Sequence, residues 1–189
     1  MSKINQIIIE KFDFFNDLVS KEKIILDDEI SLKPKVNNIY WSTGESKTKH
    51  STINEEIIFM VEQSKRDNKY GIKLRCENFL KQPFFRFDSD GPAHRNDDVN
   101  IPLHEQSIKT PHFNSFNEAG KSIAYHNHVL KDENQAKIIA NDINFGISLF
   151  CQETDSKLKN SNFPTIAPLI PELEFSETNN IDFDNINFE

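Results

Sequence analysis

Tyr70, Ile72, Leu74 and Cys76 alternate along the chain with Gly71, Lys73 and Arg75. A period of two sends successive side chains to opposite faces, so this segment is a strand with one buried face. The pattern returns at Phe84–Asp88, with Phe85 and Phe87 on one face and Phe84, Arg86 and Asp88 on the other. Ile57–Val61 is a continuous apolar run, a buried strand by its length and residue types. The polar stretch 63–69 reads as a hairpin turn between two of these strands. His112–Phe116 and Ser122–His128 form another pair, joined by the turn Asn117–Gly120. The fold implied is α+β, with an antiparallel sheet.

Helices bracket these strands. Ile4, Ile7, Ile8, Phe12, Phe15 and Leu18 recur at helical spacing, so 3–20 reads as one amphipathic helix with Ser2 as its cap. Ile138, Ile139, Ile143, Ile147 and Phe150 predict a second helix over 132–152, capped by Asp132 or Asn134. Ile24–Leu26 and Asn38–Trp41 are candidate short strands. The polar stretch 43–52 reads as a loop, and 89–110 as a long polar loop. The expected organisation is an N-terminal helix and irregular region over 1–55, then an α+β core over 56–152. A proline-containing linker over 153–171 and an acidic, aromatic tail over 172–189 follow.

Only 37% of the 189 residues are hydrophobic, but 16 of them are Phe, and these supply a core. The net charge of −8 is uneven. Residues 172–189 hold six carboxylates and no cation, which leaves −2 for the rest, while 65–121 hold ten Lys/Arg against eight Asp/Glu. Cys76 and Cys151 are far apart and sit in apolar settings, the pattern of buried thiols, not of a zinc motif. No apolar run is long enough to span a bilayer and no secretory leader is visible, so the expectation is a cytoplasmic protein with no membrane association. Phosphate-binding glycine loops, HExxH and Gly-x-Ser-x-Gly are absent from the sequence.

The dense polar group is Arg86, Asp88, Asp90, His94, Arg95, Asn96, His112 and Asn114. Arg86 and Asp88 share one strand face, and His112 and Asn114 share another, so pairing of the two strands makes the sets converge. Three chemistries suit such a group. An arginine fork with histidines cradles a phosphate, and metal-free RNA cleavage needs a base, an acid and a cation of this kind. Asp88, Asp90, His94 and His112 are metal-ligand types. The group also suits a structural or protein-binding role, with Arg86 and Asp88 as an ion pair and His94 bonded to loop carbonyls. His126 and His128 share a face and read as solvent-facing. No metal or cofactor is assigned.

The run Phe85-Arg86-Phe87-Asp88, Gly91, His94-Arg95-Asn96, Pro111-His112-Phe113-Asn114 and Asn117-Glu118 resembles a poorly characterised family of small bacterial and phage proteins. That family carries an RxD…G…HRN…PHxH-like signature, and Asn114 stands where the last His is expected. Leu149-Phe150-Cys151 matches its aromatic-plus-Cys segment after the sheet. The motif style is similar to TumE-type toxins of the RelE-like class, and the resemblance covers about residues 56–152. It implies a small α+β toxin-like, metal-independent ribonuclease, with Arg86, Asp88, His94, Arg95 and His112 as catalytic candidates and Asn96 and Asn114 as binding residues. The partner would be RNA or an RNA-handling protein, a nuclease or a cognate antitoxin.

The tail opens a rival expectation. Phe175, Ile181, Phe183, Ile186 and Phe188 are spaced among its carboxylates. Aromatic anchors steered by acids suit an interaction segment, with Phe183 and Phe188 as its binding residues. On that reading the chain is a non-enzymatic, anti-CRISPR-like phage inhibitor of an RNA-guided or other defence nuclease. A protein-binding antitoxin or accessory module is the third alternative, and whether the chain is an enzyme stays open at this point.

Overall fold

A computed structural model of the protein describes residues 4–98 and 101–167. It is an α+β fold built on one large, mostly antiparallel sheet. The strands are β1 (Lys23–Ile25), β2 (Glu29–Ile30), β3 (Lys33–Lys35), β4 (Asn38–His50), β5 (Ile57–Ser64), β6 (Tyr70–Arg75), β7 (Phe85–Asp88), β8 (His94–Arg95), β9 (Ser107–Ile108), β10 (His112–Phe116), β11 (Ser122–Tyr125), β12 (Ser156–Lys157) and β13 (Thr165–Ile166). The main sheet runs β11-β10-β7-β6-β5-β4-β1-β12, with β3 also paired to β4. β12 joins β1 in parallel, β13 joins β2 in parallel, and β8 and β9 make a small antiparallel hairpin.

The N-terminal helical stretch is two helices, α1 (Gln6–Glu10) and α2 (Phe12–Ser20), because Lys11 leaves helical geometry at φ −129° and ψ 38°. Asn5 caps α1 with Oδ1 accepting from Ile7 N and Ile8 N, and Ser2 lies outside the described residues. The stretch 132–152 is likewise two helices, α3 (Glu133–Asn141) and α4 (Ile143–Glu153). Asp132 caps α3 as expected, and Asp142 caps α4 through bonds from Asn144 N and Phe145 N.

The stretch 43–52 is not a loop but most of β4, the longest strand, out to His50. Its alternation is one of size: Ser42, Gly44, Ser46 and Thr48 are buried, and Glu45, Lys47 and Lys49 are exposed. Small residues are required there. A Cβ on Gly44 would lie 2.6 Å from an Ile30 methyl and 2.7 Å from the Ser31 carbonyl. The loop 89–110 is not wholly irregular, since it carries the β8–β9 hairpin.

The core lies on one face of the sheet, and aromatic rings carry it. Phe150 of α4 packs edge-on against Phe59 of β5 and tilted against Phe85 of β7. Phe87, Phe113 and Tyr125 continue the cluster across β7, β10 and β11. Tyr70 reaches from β6 to donate its hydroxyl to the Ile139 and Asp142 carbonyls at the α3–α4 junction. A second buried capping group is Lys23. It is fully buried, its Nζ donates to the Val19 and Lys21 carbonyls at the end of α2, and burial pushes its pKa down to about 8 against the pull of Asp155. No described helix is long and apolar enough to cross a membrane.

Candidate functional site

The opposite face of the sheet is polar, and the strand register decides what meets there. β7 and β10 pair antiparallel, with His112 opposite Asp88 and Asn114 opposite Arg86. Phe85, Phe87 and Phe113 take the core side, so Arg86, Asp88, His112 and Asn114 come together on the other. Lys73 of β6 sits opposite Arg86 and extends this face. Glu62 of β5 bridges Lys73 at 2.6 Å and Lys35 at 2.7 Å. Burial pushes the Glu62 carboxyl up, but hydrogen bonds and charge from the two lysines outweigh it and hold the group below its ordinary range.

Asp88 is the hub. Its Oδ2 accepts from Asn114 Nδ2 at 2.8 Å and lies 2.9 Å from Arg86 Nε and 3.7 Å from His112 Nε2. The Arg86 Nε–H does not point along its short contact, so that pair is Coulombic and not a formed hydrogen bond. Arg86 keeps 43% of its side chain exposed, whereas His112 is 2% and Asn114 6% exposed. Burial pushes the His112 pKa below the usual imidazole value, against the nearby Asp88 charge, so the ring is neutral at pH 7. His112 Nδ1 and Asn114 Oδ1 are buried without a hydrogen-bond partner among the described residues. A depression of about 100 Å³ opens beside Arg86 and Asn114, bordered by Gln82, Phe84 and Phe116.

The β8–β9 hairpin folds over the edge of the sheet. Asn96 works there as a surrogate strand: its Nδ2 donates to Ala124 O and its Oδ1 accepts from Ala124 N, both at 2.8 Å. His94 Nε2 lies 3.3 Å from Ser122 O, and its ring stands edge-on to His112 with centroids 6.4 Å apart. These two side chains occupy the outward groups of β11, the last strand of the sheet, and so close an edge that would otherwise be open to pairing. Arg95 Nε donates to Gln106 Oε1 at 3.3 Å. Gln106, which sequence reasoning did not select, is buried and donates to the Asp98 and Ile101 carbonyls, holding the loop together. A lone glutamine in a polar loop gives no signal of that role.

Arg86, Asp88, His112 and Asn114 therefore meet directly, His94 abuts them, and Arg95 and Asn96 serve the loop and the sheet edge. Asp90 is elsewhere, 3.0 Å from Lys69. The metal-ligand set Asp88, Asp90, His94 and His112 does not converge, and among the described residues no three such side chains cluster to hold an ion. His126 lies beyond β11 and bonds through Nε2 to Lys109 O. A cleft of about 720 Å³ runs between α3 and the loops at 67–69 and 109–111, and of the dense polar group only Asp90 lines it. Phe183 and Phe188 lie outside the described residues. No family model, curated protein or solved structure matches the chain.

Proposed function

We propose that the chain is a bacterial or phage conflict protein that acts by binding an RNA-handling partner, an RNA-guided or other defence nuclease, and not through an acid–base centre of its own. The supporting observation is how the signature side chains are spent. Asp88 is held by Asn114 and Arg86, Asn96 and His94 face the edge of β11, and His112 is sealed at 2% exposure. Metal-free RNA cleavage requires a base and an acid that both reach the scissile phosphate, and here His94 alone of the two histidines is partly exposed.

The second reading, a toxin-like metal-independent ribonuclease, draws on a specific geometry. The His94 and His112 rings stand 6.4 Å apart beside the half-exposed Arg86 guanidinium. One experiment separates the two. The wild-type chain and an Arg86→Ala/His94→Ala double variant are expressed in a bacterial host, with folding checked by circular dichroism. Growth, RNA integrity and co-purifying protein are then measured. The binding reading expects a stoichiometric partner that both proteins retain and RNA that stays intact. Growth arrest with fragmented RNA that disappears in the double variant would establish the ribonuclease reading instead.

A further inference from the structure

Two hairpin tips meet at one end of the sheet. In the β3–β4 hairpin, Val36 is 97%, Ile39 67% and Tyr40 45% exposed. Arg66, in the β5–β6 turn, lies over the Tyr40 ring with its guanidinium carbon 3.3 Å from the ring centre, and Lys65 N donates to Tyr40 O. The joined tip is thus an exposed apolar and aromatic surface with an arginine laid on it, the composition that anchors protein contacts. Its charge is one-sided. Lys35 is bridged to Glu62, and Lys69 to Asp67 and Asp90, but Lys33, Lys65 and Arg66 have no carboxylate partner among the described residues.

The chain itself carries the complementary segment, and it follows the last described strand. β13 runs parallel to β2 with Ile166 beside Ile30, and Ala167 N donates to Ile30 O at 3.0 Å. From Ile30 the chain continues through Lys33 to Val36 with no turn or bend before β3. The described residues therefore end at Ala167 beside β2, and Val36 at the tip lies six residues on from Ile30. Six residues span at most about 20 Å, and the 22 residues that follow Ala167 are long enough to bridge that distance. From Glu172 onward come six carboxylates, no cation, and Phe175, Ile181, Phe183, Ile186 and Phe188.

We propose that residues 172–189 dock on the joined β3–β4 and β5–β6 tips of their own chain. Their aromatic and Ile side chains cover Val36, Ile39 and Tyr40, and their carboxylates neutralise Lys33, Lys65 and Arg66. The docking stands independently of the binding and ribonuclease readings above.

Trp41 is the chain's single tryptophan and adjoins Tyr40, so its indole N–H gives one isolated NMR signal at the tip. The test uses the full chain with Ser176→Cys carrying a nitroxide, since Cys76 and Cys151 are buried away from the label. At low ionic strength the Trp41 signal is expected to fall below half the intensity of the reduced, diamagnetic sample. It is expected to recover in 1 M NaCl, where the screening length is about 3 Å, and in an Arg66→Glu variant. Full intensity at low salt would overturn the proposal. So would an intensity loss that persists in Arg66→Glu, which shows that the tip's cations do not hold the segment, or one that fades on dilution, which makes the contact intermolecular.

Discussion

His50 and His112 are both fixed in neutral form by what surrounds them. His50 reaches from the end of β4 to α2, with Nε2 donating to the Asp17 carbonyl and Nδ1 accepting from the Thr52 and Ile53 amides. A proton on Nδ1 would forfeit both of those bonds. Burial lowers the His50 pKa, partly offset by the Asp17 carbonyl, and burial likewise lowers that of His112. In the unfolded chain each titrates near about 6.5. Below that pH the unfolded chain takes up protons that the folded chain refuses, so this stability is full above about pH 6.5 and drains away as pH falls through the folded values. The urea midpoint is expected to drop between pH 7 and pH 5, with a shallower fall in a His50→Gln/His112→Asn variant. The depressed carboxyl of Glu62 titrates below that window and leaves the comparison clean.

At the scale of elements, the strands that build the site were readable and two other features were not. Strict alternation in 70–76 and 84–88 assigned Arg86 and Asp88 to one face, and the same rule placed His112 and Asn114 together. β4 escaped because its buried side is made of Ser, Gly and Thr. A reading keyed to hydrophobicity passes over an alternation of volume, although Ser42, Gly44, Ser46 and Thr48 against Glu45, Lys47 and Lys49 is as regular as any. The helix breaks escaped because apolar spacing runs on through Lys11 and Asp142, while the backbone at both leaves helical geometry. The edge-closing work of His94 and Asn96 depends on where the β8–β9 hairpin comes to rest, which no local pattern encodes. Asp142 marks the α3–α4 junction, accepting two α4 amides through its side chain and a Tyr70 bond through its carbonyl. Asp142→Ala is expected to cost about 0.5–2 kcal/mol, read as a lower urea midpoint with an unchanged slope.

On the scale of the whole molecule, the described residues after the last helix, 154–167, belong to the core. Thr154, Ser156 and Leu158 are buried, β12 pairs with β1, and β13 pairs with β2. Leu158→Ala is therefore expected to destabilise the entire fold by about 2–5 kcal/mol, as a buried core leucine would and unlike a linker residue. Equilibrium urea unfolding followed by far-ultraviolet circular dichroism measures it. A loss under about 0.5 kcal/mol, the range of ordinary surface changes, would show that this segment is detachable.

The parallel pairing of β12 with β1 also bears on how the chain is born. Lys23 finds its partner Ser156 only after nearly all the described residues have been made. At about 5–20 residues per second, the first strand leaves the ribosome and waits on the order of ten seconds for its mate. Through that interval the sheet has a raw border at β1, so a stalled or prematurely ended product is a natural client for chaperones and proteases. The emergence of β12, and not that of β1 itself, is what completes this border of the sheet.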